Sequence, residues 1–441
     1  MTFRTGLIVL SLTILMSSSM VPLPGPDLVR QLAVLVPMLV FVLLEFTKPA
    51  VWRLSEARAW TVVVFAGLLV FSVVRGLHAQ SGGLTVATAI PQIATIVTVT
   101  LFGFVVFARD SGIPAGEVDL IALAFAPGLL VAANLALWFA GIGSDVSNGL
   151  AAQSAGMLAV VGIDADRTTF PLTVGWNQMG VGSAVAACAV LLITGRTDRV
   201  IKLLAGVACA LSLTGILLSD SRGAMISLLI ALAMTLVLAY RGAHWPDWKV
   251  AVPLVVSVFV ATSFVMADTL VPVAKATLPS LLDIRDDGAD SPRTVMRDSV
   301  IDALTASGAK TLVGWGEFGQ VPSGAFSVYG AMFMVPGSIS SGPDHFWTTH
   351  NLALQTLVDM GVIGLIALCM MFAFTLKGLA ERARCRGDAG YALFAMVLAL
   401  AFSGITEASP TLYQPATLWL LLLLACAGVG HGADPHRGWS T

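Results

Sequence analysis

Between Val86 and Phe107 the chain passes through 22 residues without one Asp, Glu, Lys or Arg. That length and character match the roughly 20 apolar residues a helix needs to cross the hydrocarbon core of a bilayer. Lipid offers no partner to backbone N–H and C=O groups, so such a segment must satisfy them internally as a helix. About twelve candidate spans follow the same logic: 6–22, 28–45, 60–77, 86–107, 118–140, 176–194, 201–218, 222–240, 249–268, 351–374, 390–407 and 412–430. Composition agrees, with 57% hydrophobic and 11% charged residues over 441 positions and a mean hydropathy of +0.87. A soluble core of this length could not hide so much apolar surface. A soluble enzyme and a disordered chain are therefore excluded. The formal net charge of −2 supplies no field for a polyanion, so nucleic acid is not an expected partner. The expected fold is an all-α integral membrane protein of about twelve transmembrane helices, one polytopic domain over residues 1–441. The first run follows Arg4, but Pro22, Pro24 and Pro26 stand where a small-residue cleavage site would be, and it reads as a retained span. Four of the five cysteines, Cys188, Cys209, Cys369 and Cys426, fall inside apolar runs and Cys385 in a basic connector, which suits packing better than disulfides.

Lys and Arg orient the spans. With the N-terminus inside, fifteen of them fall on inner connectors, from Arg4, Lys48, Arg53 and Arg58 through to Lys377, Arg382, Arg384, Arg386 and Arg437. Only four, Arg30, Arg75, Arg167 and Arg222, fall on short outer connectors or span ends, and five more lie in one long outer loop. Both termini are thus expected in the cytoplasm. The connector 141–175 is rich in Gly, Ser and Ala, and residues 269–349, between spans nine and ten, form the only sizeable polar portion. A structureless loop of that size is unusual, so it should fold against the membrane domain. Within it, Ser291 and Pro292 read as N-cap and first turn of a helix through Val295, Val300 and Leu304 that stops near Gly308. The stretch 314–342 is Gly-rich and should be irregular.

Several constellations could carry chemistry. Ser219-Asp220-Ser221-Arg222-Gly223-Ala224 occupies the outer turn between spans seven and eight. It reads either as a snorkelling interfacial arginine with a helix cap, or as an anion site in which Arg222 joins the positive end of the next helix. Asp344-His345-Phe346-Trp347-Thr348-Thr349-His350-Asn351 lies where the long loop enters span ten. Two histidines five residues apart do not share a metal on a helix, and no third ligand stands near, so no metal is expected. An imidazole, with its unperturbed pKa of about 6.5, can serve there as a general base or sit as a satisfied interfacial side chain. Gly175-Trp176-Asn177-Gln178-Met179-Gly180 opens span six, where Asn177 and Gln178 could bind sugar hydroxyls or cap the helix. Gly314-Trp315-Gly316-Glu317-Phe318-Gly319 matches G-x-G-x-x-G but follows a helix rather than a strand, so its glycines read as turn formers rather than a dinucleotide site. Arg293 and Arg297 lie one turn apart on the loop helix and could extend a phosphate site or pair with Asp290 or Asp298.

The order of these pieces resembles the O-antigen ligase and polymerase superfamily of bacterial envelope enzymes, over residues 175–430. Trp176-Asn177-Gln178-x-Gly180, Ser221-Arg222-Gly223-Ala224, Arg293 with Gly314-x-Gly316, and His350-Asn351-x-x-Leu354-Gln355-x-Leu357-Val358-Asp359-x-Gly361-x-x-Gly364 carry the resemblance. Asp359 stands where the family more often has Glu. The resemblance implies an inverting GT-C-type glycosyltransferase of the bacterial cytoplasmic (inner) membrane, with its active site on the outer face. Its donor would be a glycan on undecaprenyl pyrophosphate and its acceptor a hydroxyl of a glycan or lipid-linked partner; no cofactor is implied. Arg222 and Arg293 would hold the diphosphate and His350 would be catalytic. Asn177, Gln178, Asn351 and Asp359 would contact glycan or serve structure. Ligase and polymerase share this donor and stay undivided. The rival reading is a transporter or flippase for a lipid-linked substrate, which favours charges at mid-span; here mid-span positions carry little beyond Asn134.

Overall fold

A computed structural model of the chain describes residues 6–11, 13, 32, 35–48, 51–52, 56–79, 84–110, 117–142, 168, 170–172, 175–193, 199–240, 292–325, 349, 351–386, 388–406 and 415–429. Among them the architecture is helical. In chain order the helices are α1 (Val36–Phe46), α2 (Glu56–His78), α3 (Val86–Phe107), α4 (Glu117–Phe139), α5 (Gly175–Ala187), α6 (Arg199–Ser219), α7 (Arg222–Tyr240), α8 (Pro292–Ala306), α9 (Ala309–Val313), α10 (Leu352–Arg386), α11 (Asp388–Thr406) and α12 (Pro415–Val429). The strands among the described residues are two residues each: β1 (Val51–Trp52) pairs antiparallel with β2 (Arg109–Asp110). This small ribbon ties the chain entering α2 to the chain leaving α3.

Among the described residues, five helical segments are long and apolar enough to cross a membrane: Ala57–His78, Val86–Phe107, Arg199–Ser219, Arg222–Tyr240 and Leu352–Ala383. Four more, Val36–Phe46, Leu123–Phe139, Gln178–Ile193 and Ala389–Gly404, are apolar but shorter. The expected span at 249–268 lies outside the described residues. Two expected spans differ in form. The segment 176–194 is α-helical to Ala187 and then tightens into a 3-10 stretch, Cys188–Ile193. The segment expected at 351–374 extends to Arg386 and is broken at Gly361, whose φ of 68° leaves the helical region. Hydropathy sees apolar length and is blind to both changes of backbone.

Burial sorts the helices. α11 is enclosed nearly all round, with Ala392 through Leu400 buried, as expected of a helix apolar on every side. α6 and α7 leave Leu203, Leu204, Val207, Leu236 and Val237 exposed, the face a bilayer would cover. Small residues let backbones close up where the hydrophobic effect gives helices no reason to associate. Gly378 of α10 lies against the backbone of Gly428 in α12, and a Cβ on Gly103 of α3 would come within 2.6 Å of Cys426 Sγ.

Contacts gather at two ends. At one, Arg58 at the start of α2 pairs with Glu381 and donates from Nη1 to Gly428 O at 3.2 Å, while the Arg382 guanidinium lies 5.8 Å from the centre of the Phe107 ring. At the other, Arg75 near the end of α2 donates from Nη1 to Val313 O at 2.8 Å, and Gln92 in α3 reaches Glu317. The 309–325 segment therefore contacts α2 and α3. α8 occupies the predicted range and buries Val300 and Leu304, and Gly308 follows it with φ 54°.

Candidate functional site

The first constellation is the turn between α6 and α7. α6 ends at Ser219, whose hydroxyl turns back to donate to Ile216 O at 3.1 Å. Asp220 carries the chain through a left-handed conformation, φ 48°, which non-glycine residues adopt at a cost. α7 then begins at Arg222. Ser221 Oγ is buried and has no hydrogen-bond partner among the described residues, so its hydroxyl is not the expected helix cap. The side chain of Arg222 is 27% exposed, and its Nε stands 3.8 Å from Asp220 Oδ1, a charge pair too long for a hydrogen bond. Arg222 is the first residue of α7, the end of a helix that favours anions. Gly180 of α5 packs directly onto Ser221: a Cβ there would overlap the serine side chain and lie 3.2 Å from Ser219 Oγ. Two sequence blocks far apart in the chain, the one opening α5 and the one opening α7, thus meet.

The second constellation is built around the break in α10. Where Gly361 leaves the helix, the carbonyls of Val358 and Asp359 lose their intrahelical donors. Trp315 N donates to Val358 O at 2.8 Å and Gly316 N to Asp359 O at 3.0 Å, so a loop replaces the missing helical bonds. Irregular backbone at this depth is tolerated when protein satisfies it. The approach is backbone on backbone, which explains the glycines: a Cβ on Gly314 would overlap the Asp359 carbonyl, one on Gly319 would lie 2.6 Å from Val358 O, and one on Gly316 would strike Gly76 and Arg75. The G-x-G-x-x-G segment is a wedge against α10 and α2. Gly314 and Gly316 make the expected turns, with φ 69° and 101°.

Behind the wedge lies a buried polar network. Gly319 N donates to Asp359 Oδ1 at 2.9 Å. Gln355 Nε2 shares its hydrogens among Gln320 Oε1 at 2.9 Å and the Asp359 carboxylate oxygens at 3.0 and 2.9 Å. Gln355 Oε1 accepts from Thr349 N at 3.0 Å. Glu317, also fully buried, accepts at Oε1 from Gln92 Nε2 at 2.9 Å, while its Oε2 has no partner among the described residues. Burial, and then the nearby Asp359 carboxylate, push the Glu317 carboxyl well above the usual carboxylate range, only partly offset by the Gln92 bond.

The candidate residues fall as follows. Asn351 is the N-cap of α10: its Oδ1 accepts from Ala353 N at 2.9 Å and Leu354 N at 3.0 Å. Asp359 is buried in the network. Gln178 is half-buried in α5; Asn177 and Arg293 sit in α5 and α8, and their side chains lie outside the described residues. His350 and His345 also lie outside them, although Thr349 and Asn351, bonded to either side of His350, are described. Arg297 pairs with neighbouring Asp298 at 3.0 Å, one of the two ion pairs expected for it, with its own side chain 12% exposed. Mid-span Asn134 uses its amide structurally, donating to Leu130 O at 3.2 Å and accepting from Leu172 N at 2.8 Å. No group of three His, Cys, Asp or Glu suited to a metal occurs among the described residues.

Residues 207–369 match the family model described as O-antigen ligase. That match supports a relation of this segment to the O-antigen ligase superfamily. No curated protein matches the chain. The matched segment runs from within α6 into α10, so it contains Arg222, Arg293, the glycine wedge, His350 and Asp359. The block opening α5 lies before the O-antigen ligase match, yet Gly180 packs against that segment's Ser221. Gln92, Glu317 and Gln320 were not singled out as site residues from the sequence; the one hint was Gln355 and Asp359 at i and i+4, a spacing that shares a helix face.

Proposed function

We propose that this multi-pass membrane protein is a glycosyltransferase that moves a glycan from undecaprenyl pyrophosphate to an acceptor hydroxyl on the outer face of the bacterial inner membrane, acting as O-antigen ligase or polysaccharide polymerase. The observation that carries the reading is the match of residues 207–369 to the O-antigen ligase family model, within which Arg222 opens a membrane helix with its side chain part-exposed and 3.8 Å from Asp220 Oδ1. In this reading the acceptor oxygen attacks the anomeric carbon, the bond from that carbon to the diphosphate oxygen breaks with inversion, and the electron pair leaves on the diphosphate. Arg222, with Arg293, neutralises that developing charge, and the α7 N-terminus adds its dipole. His350 takes the acceptor proton. Asn177 and Gln178 are glycan contacts. The chemistry asks for no metal or cofactor, because a diphosphate is already a good leaving group.

About twelve spans, both termini in the cytoplasm and one polytopic domain with the 269–349 loop outside complete the proposal. The two-ended sorting of contacts supports this topology. Arg58, Phe107, Glu381 and Arg382, all expected inside, lie at one end. Arg75, Val313 and Glu317, all expected outside, lie at the other, with Gln92 of the span 86–107. The structural use of Asn134 removes a mid-span ligand that a transporter would want. The test is a deletion strain. Loss of one surface polysaccharide with accumulation of its lipid-diphosphate precursor at the outer leaflet supports transfer. Accumulation at the inner leaflet would instead indicate a flippase.

A further inference from the structure

We infer that Glu317 is a proton-binding site: as a neutral acid it closes a cyclic pair with Gln92 that latches the glycine wedge to α2 and α3, and loss of the proton opens the latch. The inference stands apart from the transfer chemistry and starts from two orphaned atoms. Gln92 Nε2 donates to Glu317 Oε1 at 2.9 Å, which joins one edge of the amide to one edge of the carboxyl. The other oxygen of each group, Gln92 Oε1 and Glu317 Oε2, is buried and has no partner among the described residues. An ionised carboxylate only accepts, and so does an amide oxygen, so an ionised Glu317 leaves two bare acceptors side by side in one pair. A proton on Oε2 supplies the missing donor. Oε2–H then meets Gln92 Oε1 as Gln92 Nε2–H meets Glu317 Oε1, and one proton satisfies both orphaned atoms. Glu317 is 0% exposed, and a charge so enclosed is costly unless paired.

The charges around the site keep that proton in place. Asp359 faces Glu317 from α10, and its carboxylate makes a second negative charge unfavourable. α3 carries no ionisable side chain between Val86 and Phe107. On α2 the Arg75 guanidinium is spent on Val313 O at 2.8 Å, and His78 stands at the exposed end of the helix. On α9, Lys310 Nζ lies 5.8 Å from the centre of the Trp315 ring. No Lys or Arg pairs with Glu317 among the described residues. What the proton holds is the wedge. Glu317 N donates to Ser72 O at 2.9 Å, and the Glu317 backbone lies against Gly76. The two residues before it, Trp315 and Gly316, supply the N–H donors at the α10 break. An ionised Glu317 is stabilised by reaching water, and it reaches water only by drawing these bonds apart. One proton therefore bears on the broken helix as well as on the loop.

The test is hydrogen exchange on the full-length, detergent-purified protein, read on peptides covering 314–320 and corrected for the intrinsic pH dependence of amide exchange. In the wild type, protection should be level at acid pH and fall by up to about tenfold per pH unit once pH passes the folded pKa of Glu317. Glu317→Gln sets an amide where the acid was, keeps both complementary edges at every pH, and should hold protection within about twofold across the range. The wild-type infrared spectrum should carry a protonated-carboxyl C=O band that Glu317→Gln lacks, fading over the same pH interval as the protection. Gln92→Met removes the amide edge and should lower protection at acid pH by about fivefold, the worth of one buried hydrogen bond. Level wild-type protection from acid to mildly alkaline pH would overturn the inference, as would absence of the band. The same fall in Glu317→Gln would give the titration to Asp359 or another group and overturn it too, and unchanged protection in Gln92→Met would dissolve the pair. Should Glu317→Gln fail to fold, Glu317→Met takes its place. It has no proton to lose and no pair to close, so its protection should lie below the wild type's at acid pH and stay level; a fall like the wild type's would again overturn the inference.

Discussion

Two glycines on α2 offer a matched pair whose substitutions should have opposite signs. Gly67 has nothing within 4 Å of the position a Cβ would take, whereas a Cβ on Gly76 would lie 2.8 Å from Glu317 O, 2.9 Å from Glu317 N and 3.0 Å from Glu317 Cβ. Within a helix, Gly→Ala gains about 0.5–1 kcal/mol because the unfolded glycine has more conformations to lose. Gly67→Ala should show that gain. At Gly76 the loop would have to retreat by about 0.5 Å to reach ordinary contact distance. That retreat strains the bond from Glu317 N to Ser72 O, now 2.9 Å, and the Gln92 bond to Glu317. Overpacking of this kind costs about 1–3 kcal/mol. Set against the helical gain, Gly76→Ala should be destabilised by about 1–2 kcal/mol, while Gly67→Ala is stabilised. Thermal denaturation of the detergent-purified variants, followed by loss of monodisperse protein, measures the difference. Gly76→Ala should melt a few degrees below wild type and Gly67→Ala at or above it. If Gly76→Ala melts with Gly67→Ala, the wedge does not pack on α2 as described.

Arg222→Lys should insert normally but lose most transfer activity, since lysine keeps the charge and lacks the planar fork that grips two phosphate oxygens; a normal surface glycan level in an Arg222→Ala strain would leave only the interfacial anchor. Glu317 binds its proton to higher pH in the folded protein than in the unfolded chain, so its contribution to stability is complete at acid pH and declines as pH rises through the folded pKa. Glu317→Gln should therefore flatten the fall in melting temperature between acid and mildly alkaline pH, and an unchanged slope would show that Glu317 is not the titrating group. Reporter fusions after Arg199 and after Arg386 should read as cytoplasmic and fusions at Ser323 as external, whereas a cytoplasmic Ser323 would invert the topology and move the site to the wrong face.

Two of the apolar spans were plainly legible. The ranges 86–107 and 222–240 coincide with α3 and α7 residue for residue, because absence of charge over a bilayer's width leaves few alternatives. α8 was legible from its punctuation, Pro292 at the start and Gly308 beyond the end. The break in α10 was not. Gly361 sits in an apolar run like any other, and what makes the break affordable is the pair of N–H donors from Trp315 and Gly316, more than forty residues upstream. The network was hidden for the same reason: Gln320 and Gln355 are 35 positions apart, Gly319 and Asp359 are 40, and Gln92 and Glu317 are 225. Buried polar groups find partners in three dimensions, and single-residue types carry no record of which. The capping role of Asn351 was local and could have been read from its place before an apolar run. The glycine wedge was half legible, since the turns follow from the residue type and the close approach to α10 does not.

Transfer by the purified protein decides most directly whether this chain is a glycosyltransferase. The wild-type protein, given the polyprenyl-diphosphate glycan that accumulates in its deletion strain and the membranes of that strain, should join glycan to acceptor and release one polyprenyl diphosphate for each glycan moved. Arg222→Ala and His350→Ala, inserted at wild-type levels, should do neither at a comparable rate. Intact donor after prolonged incubation with folded wild-type protein, together with movement of that donor between the leaflets of protein-containing vesicles, would contradict the assignment and make the chain a transporter.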